Sequence, residues 1–189
     1  MRKFAVRPTL TFRGRKFKGL RGWAGKPTHP PLTDVPVTAY IFGGLFDLAS
    51  AIGGKRHTWT HEFWHAATFV FVGGAAVSLL TALTGFWDAW KSSEAGTQAR
   101  RTINTHATIM LTVTALVFID LAWRLNDYHS RAVAPAGLAV LSAIIAVLVT
   151  VGATYGGTLV FDYGFNVETG GDSPVWHKSE KDVLPGEHG

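Results

Sequence analysis

Four long apolar runs dominate the pattern of hydrophobic and polar positions along this 189-residue chain. Each run has about 18 to 22 residues, which at 1.5 Å per residue spans the ~30 Å hydrocarbon core of a bilayer. Segments such as GLAVLSAIIAVLVTVGA lack the alternating polar face of a helix in a soluble bundle. The pattern therefore predicts an all-α membrane protein, a four-helix transmembrane bundle. Its predicted spans cover residues 35–52, 66–87, 105–123 and 135–155.

The segments outside these spans divide the chain into three predicted parts. Residues 1–34 form a basic N-terminal arm, residues 35–155 the transmembrane domain and residues 156–189 a C-terminal segment. The adjacent prolines of HPPL are expected to exclude helix at their positions, with Thr33 or Asp34 as the cap of the helix that follows. The alternation in GGTLVFDYGFNV predicts a short extended C-terminal element, a strand or hairpin, after the fourth span.

The N-terminal arm has nine basic residues and no acidic residue among its first 26. Together with the second loop it holds twelve basic residues on one side of the membrane, whereas the first and third loops hold four, Arg124 among them. The positive-inside rule then predicts a multi-pass protein of the bacterial inner (cytoplasmic) membrane with both termini cytoplasmic. The arm is expected to contact anionic lipid headgroups or another membrane subunit. No motif indicates a nucleic-acid partner.

Ionisable residues near the span ends form two predicted layers. Asp47 and Asp120 lie about one turn inside the outer ends of their spans, where a carboxylate is costly unless it is paired. In a purely structural role, both carboxylates would pair with histidines or with Arg56 and Arg124 to hold the helix ends together. The outer layer contains Asp47, His57, His61, Glu62, His65, Asp120, Asn126, Asp127 and His129, and the inner layer contains His29, Asp34, Trp87, Asp88, Arg100, Arg101 and His106.

The segment HEFWH, residues 61–65, matches the H-E-x-x-H pattern of zinc hydrolases. On a helix, His61 and His65 would point the same way and bind one zinc ion, with Glu62 as the general base. A hydrolase also needs a third ligand and a substrate cleft, and the short loops offer no sign of a cleft. A metal ion without catalysis is a separate hypothesis, with His57, His61, His65 and Asp47 as its ligands.

Haem is the other candidate cofactor. The chain has no cysteine, which excludes covalent c-type haem, Cys-ligated iron–sulfur clusters and thiolate zinc sites. Neutral histidines remain as possible axial ligands of b-type haem. The candidate pairs are His29 with His106 in the inner layer, and His61 or His65 with His129 in the outer layer. All of these histidines lie toward span ends, although haem between two helices normally takes ligands further inside.

Short motifs also carry a resemblance to a known family. They are HPPL at residues 29–32, Asp47, LTG at residues 83–85 with Asp88, His106 and a closing GG-x-LV-x-x-x-G-x-x-V pattern. The closing pattern consists of Gly156, Gly157, Leu159, Val160, Gly164 and Val167.

Over about residues 28–168, the chain resembles a family of bacterial four-span membrane proteins whose activity is not established. Members of that family are sometimes fused to Rieske-type iron–sulfur domains. The resemblance implies a module that can sit beside an electron-transfer centre, and it directs attention to His29, Asp47, Asp88 and His106.

These observations favour a small integral membrane subunit of a respiratory or photosynthetic electron-transfer complex. Such a subunit would bind b-type haem or serve as a structural accessory subunit, and we expect no catalytic activity of its own. The alternative is a membrane zinc metallohydrolase that uses HEFWH. The two hypotheses differ at Glu62, because only a hydrolase needs this carboxylate for turnover.

Overall fold

The computed structural model describes residues 19–20 and 27–165. In this part of the chain it shows four α-helices, with a short 3₁₀ turn between the first two. All four helices are long and apolar enough to cross a membrane, which confirms the predicted four-helix bundle. The helices are α1 (His29–Gly53), α2 (Thr58–Ser92), α3 (Gln98–Asp127) and α4 (Ala136–Phe161), and the 3₁₀ turn is Gly54–Arg56.

The helices pack around an apolar core in the middle of the bundle. Helix α1 lies against both α2 and α4, α3 packs mainly on α4, and the contact between α2 and α3 is the smallest. Large apolar side chains also cover the outer surface, as expected for helices in contact with lipid. The core consists of Tyr40, Phe71, Ala75, Val113, Val117, Leu121, Ile145 and Val149.

Helix α1 begins earlier than the sequence predicted. It starts at His29 and accommodates Pro30 and Pro31 in its first turn, where a missing N–H costs nothing because that group has no partner within the helix. The Thr33 hydroxyl donates to the Pro30 carbonyl at 2.6 Å and does not cap the helix. The prediction that these prolines exclude helix was therefore wrong, and the early start gives His29 a fixed place beside α2.

Helix α4 ends later than predicted. It continues through Gly156 and Gly157 to Phe161 and is followed by a turn at residues 162–165. The predicted strand is therefore wrong for the part that the structure describes. The helix continues because of tertiary packing. In the helical conformation, Gly156 packs against the His106 ring. The rest of that segment, like most of the basic arm, lies outside the described residues.

Glycines allow α1 to approach its neighbours closely. A Cβ atom on Gly44 would lie 2.9 Å from the backbone oxygen of Ser142 on α4. A Cβ atom on Gly74 would lie 2.7 Å from Ala39 on α1. These close contacts bring Asp47, one turn beyond Gly44, next to the Ser142 side chain.

Candidate functional site

A buried ion network joins α1, α3 and α4 near the end of the bundle that holds the α1–α2 and α3–α4 connections, here called the α1–α2 end. The side chains of Arg124, Asp47 and Asp120 are all fully buried. Arg124 binds both Asp47 oxygens through Nη1 and Nη2, with the Nη1 bond at 3.1 Å, and its Nε donates to Asp120 Oδ1 at 2.7 Å. The Ser142 hydroxyl donates to Asp47 and lies 3.1 Å from Asp120 Oδ2.

Aromatic rings complete the enclosure of Arg124. Its guanidinium carbon lies 4.7 Å from the centre of the Trp64 ring and 4.8 Å from that of Phe71, so both rings contribute cation–π attraction. The proposed pairing of Asp47 and Asp120 with Arg124 is confirmed. The assignment of Arg124 to a loop was wrong, because α3 continues one turn beyond Trp123 and buries the arginine.

The histidines of HEFWH form an aromatic cluster at the same end. His61 and His65 have ring centroids 4.1 Å apart, which confirms that they share one face of α2. The Tyr128 ring stacks on His65 at 4.5 Å, and the His129 ring meets Tyr128 at 4.9 Å. His57 instead stacks on Trp59 at 5.6 Å. The structure thus brings together three of the four outer histidines through Tyr128, which the sequence analysis did not single out.

The predicted metal ligands do not all meet at this cluster. Both Asp47 oxygens are bonded to Arg124. Within residues 19–20 and 27–165, no group of three or more His, Asp or Glu side chains is arranged to hold a metal ion. Glu62, the expected general base, is exposed. The hydrolase hypothesis therefore has no third protein ligand in the described part of the chain.

Two further histidines lie at the opposite end of the bundle, here called the α2–α3 end. His29 Nδ1 donates to the Thr81 carbonyl at 3.0 Å and lies 3.2 Å from the Thr84 hydroxyl. His106 Nδ1 donates to the Gly152 carbonyl at 2.8 Å. A carbonyl oxygen can only accept a hydrogen bond, so Nδ1 of each neutral ring carries the proton and Nε2 keeps its lone pair.

Each of these rings also packs against a glycine of the neighbouring helix. A Cβ atom on Gly85 would lie 2.6 Å from His29 Cε1, and one on Gly156 would lie 3.2 Å from His106 Cε1. His29 of α1 thus packs against α2, and His106 of α3 packs against α4. In the sequence both glycines appeared only within family-like motifs, and the packing supplies a physical reason for them.

The α2–α3 end also holds the first described residues of the N-terminal arm, 19–20. The buried Asp88 accepts a hydrogen bond from the Leu20 backbone N–H at 2.8 Å, and the Leu20 carbonyl accepts one from Thr28 N–H at 3.1 Å. Lys91 lies 3.9 Å from the Trp90 ring centre and 5.4 Å from that of Trp87. Asp88 thus ties the arm to α2 at the end where His29 and His106 lie.

Comparison with known proteins supports this architecture at the level of the family. Searches of curated proteins and of solved structures gave no match. A family described as predicted membrane proteins, DUF2231, matches residues 25–169, which is well over half of the chain. The matched region contains all four helices, the His61 and His65 pair, and His29 and His106. The chain therefore belongs to the DUF2231 family of membrane proteins.

Proposed function

We propose that this protein is a small membrane subunit of an electron-transfer complex and that His29 and His106 bind b-type haem at the α2–α3 end. The observation that carries the proposal is the paired hydrogen bonding of the two rings. Each Nδ1–H is held by a backbone carbonyl, at 3.0 Å for His29 and 2.8 Å for His106. This arrangement fixes ring orientation and makes Nε2 a better ligand, as outer hydrogen bonds do for metal-bound histidines.

The donor set fits haem better than it fits zinc. The site offers two neutral imidazoles, and the described residues add no third side-chain ligand to them. Two histidines would be enough to hold b-type haem through its iron, whereas structural zinc takes four ligands, usually from the protein. Bound b-type haem would supply one-electron redox chemistry, and the chain would hold it through His29 and His106.

The outer histidines suit axial ligation less well. His61 and His65 belong to the same face of one helix, with rings 4.1 Å apart, so they would not serve together as a haem-binding pair. His129 is exposed and rests on Tyr128. His29 and His106, by contrast, come from different helices, and each is supported by a further helix.

The proposal also includes an orientation, with the α2–α3 end and both termini on the cytoplasmic side of a bacterial inner membrane. The hydrogen bond between Leu20 and Asp88 supports it, because Leu20 belongs to the basic arm and Asp88 lies at the α2–α3 end. Removing the buried Arg124 from the charge count leaves three basic residues in the first and third loops, against twelve in the N-terminal arm and the second loop. The positive-inside preference is therefore stronger than the sequence alone indicated.

Optical spectra of the detergent-purified protein test the haem proposal. The oxidised and dithionite-reduced spectra of the wild type should show a sharp reduced α-band, which His29→Ala and His106→Ala should each abolish. His57→Ala is the matched control, because His57 lies on Trp59 at the opposite end, and it should retain the band. A band that survives both inner substitutions, or one that only His65→Ala removes, would contradict the assignment. Size-exclusion profiles should verify that each variant remains folded.

A further inference from the structure

We propose that His61 and His65 form a second site, a two-histidine chelate for a divalent transition-metal ion of the Zn²⁺ or Cu²⁺ class. It lies at the α1–α2 end, opposite the proposed haem ligands, and is independent of them. Histidines four residues apart on a helix project from one face, and here their ring centroids are 4.1 Å apart. Two imidazoles on one helix face can bind the same ion at the ~2.0–2.1 Å distance of a metal–nitrogen bond.

The hydrogen bond of His61 selects the nitrogen that is free to bind. His61 Nδ1 donates to the Ala132 carbonyl in the α3–α4 loop at 3.3 Å. The neutral ring therefore keeps its lone pair on Nε2. Metal-bound histidines almost always donate their other nitrogen to such an acceptor, which fixes the ring. The loop thus supports a ligand on α2 although the two are 71 positions apart in the sequence.

His65 provides the second, independent observation. Its Nε2 atom is buried and has no hydrogen-bond partner among the described residues. A buried polar atom without a partner is unfavourable and calls for an unseen water or ion. The stacked Tyr128 ring restricts His65 from one side. A metal bond to Nε2 would satisfy this nitrogen and use the orientation that Tyr128 imposes.

The local charges are compatible with a cation. The Glu62 carboxylate directly follows His61 in the sequence and is exposed, so it adds negative charge beside the pair. Because no third side-chain ligand is arranged here within residues 27–165, water would complete the coordination. The site is thus suited to reversible binding of an ion and differs from the closed site of structural zinc.

Calorimetric titration of the chelator-treated, detergent-purified protein with ZnCl₂, and separately with CuCl₂, tests this site. One ion should bind per chain. His61→Ala and His65→Ala should each weaken binding at least about tenfold, since losing even a supporting partner of a metal ligand costs 10- to 100-fold. The double variant should weaken binding only slightly further, because either single substitution already destroys the chelate. His57→Ala, which removes a nearby histidine outside the cluster, should bind as the wild type does.

Other outcomes would overturn the chelate. They are no binding, binding that survives both single substitutions, and equal losses in His57→Ala and His61→Ala. His65→Gln keeps a side chain of similar reach at this position. If this variant loses metal binding while its thermal stability is unchanged, misfolding is excluded as the cause. The copper-loaded protein should show nitrogen couplings from two imidazoles by electron paramagnetic resonance. Haem content of these variants should equal that of the wild type, so the two proposals stand or fail separately.

Discussion

Substitutions in the buried ion network should destabilise the protein in a defined order. Among the described residues, Arg124 is the cation that pairs with both Asp47 and Asp120, and all three side chains are fully buried. Arg124→Met leaves two carboxylates without a cation, and removing one partner of a buried pair costs about 3–5 kcal/mol. Asp47→Asn or Asp120→Asn leaves a charge-balanced pair and should cost less, about 1–3 kcal/mol from disturbed hydrogen bonds.

The contacts also rank the two aspartates. Asp47 accepts two bonds from Arg124, whereas Asp120 accepts one, so Asp47→Asn should be the more destabilising of the pair. Arg131→Met is the control, because Arg131 is 55% exposed and its pair with Asp127 at 3.1 Å lies at the surface. Such pairs contribute about 0–1 kcal/mol.

Unfolding in mixed detergent and SDS micelles, followed by circular dichroism, gives the free energy of unfolding for each variant. The expected order of destabilisation is Arg124→Met, Asp47→Asn, Asp120→Asn and then Arg131→Met. Equal stability of Arg124→Met and Arg131→Met would refute the network as a stabilising element. A larger loss in either asparagine variant than in Arg124→Met would refute the charge argument.

Three further predictions concern contacts away from the network. Ser50→Ala should lower the free energy of unfolding by about 1–3 kcal/mol, because the buried Ala134 N–H loses its acceptor at 3.0 Å, and SDS unfolding measures this loss. Gly44→Ala should be clearly destabilising in the same assay, since its Cβ would lie 2.9 Å from a backbone oxygen of α4. A Cβ atom at Gly73 would have no atom within 4 Å, so Gly73→Ala should be as stable as the wild type. Asp88→Ala should speed tryptic cleavage of the basic arm by removing the acceptor at 2.8 Å, and an unchanged cleavage rate would contradict that role.

The helices and the shared face of HEFWH were predictable because both depend on local periodicity. Apolar runs of bilayer length specify spans, and a four-residue spacing places His61 and His65 together on any α-helix. The start of α1 was missed because proline was treated as a helix breaker, although its missing N–H is harmless in the first turn.

The tertiary partners were less accessible from the sequence. Asp47 lies 77 positions from Arg124, and His29 lies 52 from the Thr81 carbonyl that orients its ring. Apolar periodicity carries no record of such pairings. The predicted third span ended at residue 123, so the arginine that follows it was assigned to the loop. The carboxylates inside the predicted spans were the usable signal, because buried charges require a partner, and they led to the predicted pairing with Arg124.

The amount of haem bound per chain tests the central proposal most directly. A pyridine haemochrome assay on protein purified from cells supplied with a haem precursor, beside the same preparation of the His29→Ala/His106→Ala variant, gives this ratio. The account predicts close to one b-type haem per wild-type chain and none in the double variant. Wild-type protein that is folded, monodisperse and free of haem, or a variant that retains the full amount, would contradict it.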